Sequence, residues 1–127
     1  MSPAVLRLKR RPEFLRVAAT RRRWVAPGLI VQARWRRTDE KIGFDGPFVR
    51  VGFTVSRKVG NAVARNRARR RLKAAAEQVI PTRARAGCDL VVIGRAATLA
   101  RPFGALIADL ETALKRLDAY EPEPAPR

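Results

Sequence analysis

Residues 61–80, NAVARNRARRRLKAAAEQVI, decide how this chain is read. Asn61 suits an N-cap, and Pro81 disfavours helical geometry in the residue before it, so the segment predicts a helix ending near Ile80. At 3.6 residues per turn, Ala64, Ala68, Leu72, Ala75 and Val79 form one apolar stripe. Arg65, Asn66, Arg69, Arg70 and Lys73 gather on a separate face, with Arg67 and Arg71 beyond it. Arg65, Arg69 and Lys73 are four residues apart, about 6 Å of rise per step, and make a rail of positive charge. Like charges at that spacing destabilise an isolated helix by about 0.2–0.5 kcal/mol per pair. An anionic ligand relieves that cost, and the planar arginine fork grips phosphate with two hydrogen bonds.

Strand patterns lie on both sides of the helix. From Leu29 the period is two: Leu29, Val31, Ala33 and Trp35 point one way, and Ile30, Gln32, Arg34 and Arg36 the other. Thr38 to Pro47 is rich in Asp, Gly and Pro and forms a loop. A second alternation sets Val49, Val51, Phe53 and Val55 against Arg50, Gly52, Thr54 and Ser56. The two runs are expected to pair as an antiparallel hairpin, one face packed and one polar. Trp35 is expected in the core and Trp24 as an anchor at a strand end. Downstream, Asp89 to Gly94 carries Leu90, Val91, Val92 and Ile93, the continuous apolar run of a buried strand.

A short helix is expected from Pro12 to about Thr20, with Glu13 favourable near its positive end. Arg21 to Val25 follows as a brief extended piece, broken by Pro27-Gly28. The last helix starts near Pro102 and carries the stripe Phe103, Leu106, Ile107, Leu110, Leu114 and Leu117. Residues 1–120 are expected to form one domain, and the tail EPEPAPR, residues 121–127, to be disordered.

Composition narrows the function. The 127 residues include 28 Lys and Arg against 11 Asp and Glu, a formal charge of +17. Residues 1–73 hold 21 of the cations and only four acids, whereas residues 74–127 hold seven of each. Charge divided in this way points to a localised surface for a polyanion rather than to general solubility. The chain has no histidine, which removes Ser-His and Cys-His catalysis and histidine metal sites. Cys88 is the lone cysteine, so an intrachain disulfide is excluded and a reducing, cytoplasmic setting is expected. No apolar run approaches the roughly 18 residues of a membrane span, and no signal-peptide core follows the basic N-terminus.

The stretch RVGFTVSRKVGNAVARNRARRRLKAA, residues 50–75, closely resembles the signature of the bacterial ribonuclease P protein subunit family. Its most specific part is SRKVGNAVARNRARR, residues 56–70, with Arg65-Asn66-Arg67 at its centre. The likeness extends from RLKRRPEFLRV (7–17) through GCDLVVIGR (87–95) to the last helix.

That resemblance implies an α/β sandwich of two layers, ordered α-β-β-β-α-β-α, with a four-stranded sheet and a left-handed crossover through the basic helix. It implies a subunit that helps a catalytic RNA remove the 5′ leader of precursor tRNA by hydrolysis. Magnesium is held mainly by the RNA, and the protein strengthens substrate and metal binding. The implied partners are ribonuclease P RNA and the leader, with no membrane and no obligatory protein partner. The RNA-binding motif then comprises Arg65, Asn66, Arg67, Arg69, Arg70 and Lys73, preceded by Arg57, Lys58 and Asn61. The leader cleft includes Phe14, Gln32 and Arg50. Phe14 either stacks on a leader base or packs its helix onto the core. Ala18 and Gln32 stand where some relatives carry aromatics, which implies fewer stacking contacts.

Two other functions compete. A ribosomal-type RNA-binding module fits the composition but not the signature. A self-sufficient nuclease needs carboxylates converging on metal ions, and Asp39, Glu40 and Asp45 share one loop with no partner evident elsewhere.

Overall fold

The computed structural model describes residues 3–40 and 42–122. Its elements, in chain order, are β1 (Ala4–Arg7), α1 (Arg11–Ala19), β2 (Arg23–Val25), β3 (Leu29–Trp35), β4 (Phe48–Thr54), α2 (Ala62–Arg83), β5 (Cys88–Gly94) and α3 (Phe103–Arg116), with 3₁₀ turns at Arg57–Val59 and Ala96–Leu99. The sheet has five strands in the order β1-β4-β5-β3-β2. β1 is the strand beyond the expected four. It runs parallel to β4, with Val5 opposite Val49 and Arg7 opposite Val51.

β5 occupies the middle of the sheet, parallel to β4 and antiparallel to β3. The expected β3–β4 hairpin is therefore corrected. A strand that is apolar on both faces belongs at the centre, and β5 inserts between the two alternating strands. Arg36 N–H donates to Gly87 O and Gly87 N–H to Phe48 O, both at 2.9 Å, stitching the three strand ends together.

The alternation sorts two packed faces. Leu29, Val31, Ala33, Val49, Val51, Leu90 and Val92 meet Leu72, Ala75, Val79 and Ile80 of α2 and Leu106, Leu110 and Leu114 of α3 in the main core. Leu8, Val17 and Val91 form a smaller cluster on the opposite face, under α1, with Phe14 and Ile93 beside it. α1 thus adds a partial third layer.

Helix α2 starts as expected, with Asn61 Oδ1 accepting Ala64 N–H at 2.9 Å. It runs past Pro81 to Arg83. Proline removes a single helical hydrogen bond, to the carbonyl of exposed Glu77, and Ala84 N–H still reaches Ile80 O at 3.1 Å. Trp35 is 38 % exposed, not core, because it closes β3 at the rim of the sheet opposite Cys88. Phe103 is equally exposed at the start of α3, and Ala113 joins the buried stripe. Trp24 is half-buried against the core, as expected of an anchor. Of the tail expected to be disordered, residues 123–127 lie outside the described residues. Glu121 donates its N–H to Arg83 O at 2.6 Å.

Candidate nucleic-acid interface

α2 seats its alanine-rich side, Ala68, Leu72, Ala75 and Ala76, in the core and turns its cations outward. Asn66, Arg67 and Arg70 are exposed, while Arg65, Arg69 and Lys73 are half-buried along the flank of the stripe. Arg57 and Lys58, in the 3₁₀ turn before the helix, are exposed as well. Among the described residues none of these cations is in an ion pair; the paired arginines are Arg34, Arg36, Arg37, Arg50, Arg85 and Arg101. Arg69 Nη1 donates to Asn66 Oδ1 at 3.1 Å, which stiffens the rail from within. Arg65 Nε is shut off from solvent without a hydrogen-bond partner. Asn61 gives its oxygen to the helix cap and keeps its amide donors.

Arg71, on the same helix, does different work. Its Nε donates to Thr98 O at 2.9 Å and its Nη2 to Arg101 O, tying α2 to the turn before α3. The sequence gives no local sign of this, because both acceptors are backbone carbonyls about 30 residues away.

The opposite face is built around Phe14 and Gly52. A Cβ placed on Gly52 would stand 2.4 Å from Phe14 Cε2, so the ring lies against bare backbone in the middle of β4. Phe14 remains half-exposed beside Leu8, Val17 and Val91. Phe14 thus packs α1 onto the sheet and still presents an edge to solvent. Gln32, half-buried, shares this face, since its neighbours Val31 and Ala33 point into the main core.

Arg50 lies at the base of a cleft that Arg7, Lys9, Arg10, Glu13 and Ile42 also line. It is 5 % exposed, and its guanidinium is used internally. Nε and Nη2 donate to Asp89 at 2.8 and 2.6 Å, and Nη1 donates to Glu13 Oε2 at 2.8 Å. An alternating strand pattern marks Arg50 as facing away from the main core but does not show that α1 covers it.

Asp89 is the hub of this cluster. At 1 % exposure it also accepts from Arg36 Nη1 at 2.9 Å, and Arg34 approaches to 3.6 Å. Glu13 Oε1 accepts the backbone N–H groups of Lys9 and Arg10, both at 2.8 Å, capping α1 while Arg50 holds the other oxygen. Those backbone donors, Arg10 first, and then the Arg50 charge hold the Glu13 carboxyl below its ordinary value. The hydrogen bond from Arg34 lowers Glu40 in the same way. Hydrogen bonding to Asp89 raises Arg50.

These carboxylates do not fit a divalent cation, because Asp89, Glu13 and Glu40 each give oxygens to arginines. Among the described residues no group of three His, Cys, Asp or Glu side chains comes together as metal ligands, and no helix is long and apolar enough to cross a membrane.

Fold and surface together define a small α/β RNA-binding domain whose cationic helix links two parallel central strands. The family described as Ribonuclease P matches residues 3–118. A Paramagnetospirillum magneticum protein named "Ribonuclease P protein component" is 54 % identical over 121 residues, covering 95 % of this chain and 89 % of that protein. The Thermotoga maritima RNase P protein has the same fold, with a TM-score of 0.68 and 25 % identity over 87 % of this chain and 96 % of its own. A Staphylococcus aureus RNase P protein structure reaches a TM-score of 0.70 at 22 % identity, covering 91 % and 97 %. The chain belongs to the ribonuclease P protein family, subunits that assist an RNA in tRNA processing.

Proposed function

We propose that this chain binds a catalytic ribonuclease P RNA through α2 and the 5′ leader of precursor tRNA across its α1 face. The observation that carries the reading is the set of cations on and before α2, Arg57, Lys58, Arg65, Arg67, Arg69, Arg70 and Lys73, which have no carboxylate partners among the described residues of a chain of net charge +17. Phosphates supply what these side chains lack. Asn61 and Asn66 add amide donors to the same surface.

On the other face, the exposed edge of Phe14 offers sequence-tolerant stacking to a leader base, and Gln32 offers a hydrogen-bonding amide beside it. Arg50 takes part by holding α1 through Glu13, not by touching RNA. Hydrolysis is the work of the RNA and of magnesium ions it holds, in the cytoplasm. The protein raises affinity for the substrate and so lowers the magnesium needed. An autonomous nuclease is disfavoured by carboxylates committed to arginine.

The test is cleavage of a precursor tRNA by a bacterial ribonuclease P RNA at low magnesium, with and without this protein. Stimulation that shrinks as the leader is shortened supports the reading. Tight RNA binding without stimulation overturns it in favour of a ribosomal-type RNA-binding module.

A further inference from the structure

A cavity of about 190 Å³ opens between β1 and α2, on the sheet face opposite Phe14. Its lining is mostly apolar: Val5 and Val51 from the strands, Phe53 behind them, and Ala76, Ile80 and Pro81 from the helix. Two cations stand at it, Arg7 and Lys73, with one carboxylate, Glu77. Arg7 lies over the Phe53 ring at 5.1 Å from its centroid.

We propose that this slot accepts one unstacked nucleobase of the RNA strand that follows the α2 rail. The inference rests on the reading of α2 given above. Three features select the occupant. The space is smaller than the roughly 300–1,000 Å³ of sites for larger organic ligands, and its lining is mostly apolar, as suits a single base ring. Phe53 offers an aromatic face, on which any base stacks. The third feature is position: Lys73, the last cation of the rail, is itself part of the lining, so a backbone gripped at Arg65 and Arg69 arrives at the slot with its phosphate near Lys73. Arg7 sits on an edge strand with its side chain exposed, free to move outward and cover the far side of the base as it now covers Phe53. Glu77 lies where it can accept a hydrogen bond from an amino group of the base.

The experiment is the affinity of the full chain for a bacterial ribonuclease P RNA over a salt series, for wild type, Phe53→Leu and Val5→Asn. Leucine keeps the apolar contact of Phe53 with the core and removes the flat ring. Val5 is 38 % exposed, so asparagine alters the wall of the slot without opening the core. Phe53→Leu is expected to weaken binding roughly 5-fold or more at every salt concentration, with the salt slope unchanged because no phosphate contact is lost. Val5→Asn is expected to weaken binding in the same sense with an unchanged melting temperature. Wild-type affinity in both variants overturns the slot and leaves the rail intact. A loss confined to Phe53→Leu and matched by a lower melting temperature overturns it too. A wild-type chain with no affinity for the RNA overturns instead the reading of α2 on which the slot rests.

Discussion

Arg50 and Asp89 are register partners on adjacent parallel strands, and they face each other through two hydrogen bonds of 2.8 and 2.6 Å. Asp89 also holds Arg36 and lies near Arg34, so one buried carboxylate balances several arginines at the centre of the sheet. Removing one partner of such a cluster costs more than the pair contributes, because the remaining charges stay buried. Asp89→Ala should therefore destabilise the fold by about 3–5 kcal/mol in chemical denaturation. The double change Arg50→Met with Asp89→Leu should cost less than Asp89→Ala alone, and a larger cost would show that the cluster is stabilising in itself.

Glu13 and Glu40 give the fold an acid-sensitive limb. Both carboxyls sit below their ordinary value of 4.5 in the folded chain. A carboxyl depressed by folding contributes stability that is complete above its unfolded value and lost as pH falls through the folded one. Urea midpoints taken from about pH 7 down to about pH 3 should fall below the ordinary carboxylate range. Glu13→Gln should be less stable than wild type at neutral pH and show a flatter acid limb; an unchanged limb would place the acid sensitivity elsewhere.

Neighbouring arginines on α2 should separate binding from folding. Among the described residues the Arg69 side chain hydrogen-bonds only Asn66, while Arg71 bonds two backbone carbonyls near α3. Arg69→Ala should reduce RNA affinity and leave stability within about 0.5 kcal/mol. Arg71→Ala should lower stability by about 1–3 kcal/mol through its abandoned acceptors. If about six cations meet single-stranded phosphates, the salt slope is near −4, and Arg69→Ala should reduce its magnitude by about 0.7. Filter binding and melting curves on the same preparations decide the matter.

Gly52 sets the seat of Phe14. A methyl group there would overlap the ring, so Gly52→Ala should push Phe14 off β4 and cost about 1–3 kcal/mol of stability. Phe14→Ala should weaken binding of leader-bearing precursor tRNA by about 1–3 kcal/mol and leave binding of leaderless tRNA unchanged. Equal losses on both RNAs would assign Phe14 to packing alone.

The parts legible in the sequence were those whose signal is local. The Asn61 cap, the alanine stripe of α2, the apolar run of β5 and the alternation of β3 from Leu29 to Ala33 each follow from residues within one element, and each formed as expected. Features set by distant partners were not legible. β1 is four residues inside a basic stretch, and its partner β4 lies more than 40 positions away. The order of β3, β5 and β4 is a competition for the sheet centre that no single strand declares. Strand parity put Arg50 on the polar face of the sheet, and its burial depends on Glu13 and Asp89 arriving from two other elements. Lone Asp89 beside an apolar run was the available clue, since a carboxylate there requires cationic company.

α2 is also the only covalent link between β4 and β5, the two strands that pair in parallel at the middle of the sheet. The element proposed to meet RNA is thus the one that closes the core. A ligand held by the folded helix and not by the unfolded chain adds about 2.7 kcal/mol of stability at a hundred times its dissociation constant. In this chain that gain comes on top of relief from the mutual repulsion of its surplus cations. Heat resistance in the cell then becomes a property of the ribonucleoprotein, and the shortage of RNA partner sets how much free protein is exposed to unfolding and proteolysis.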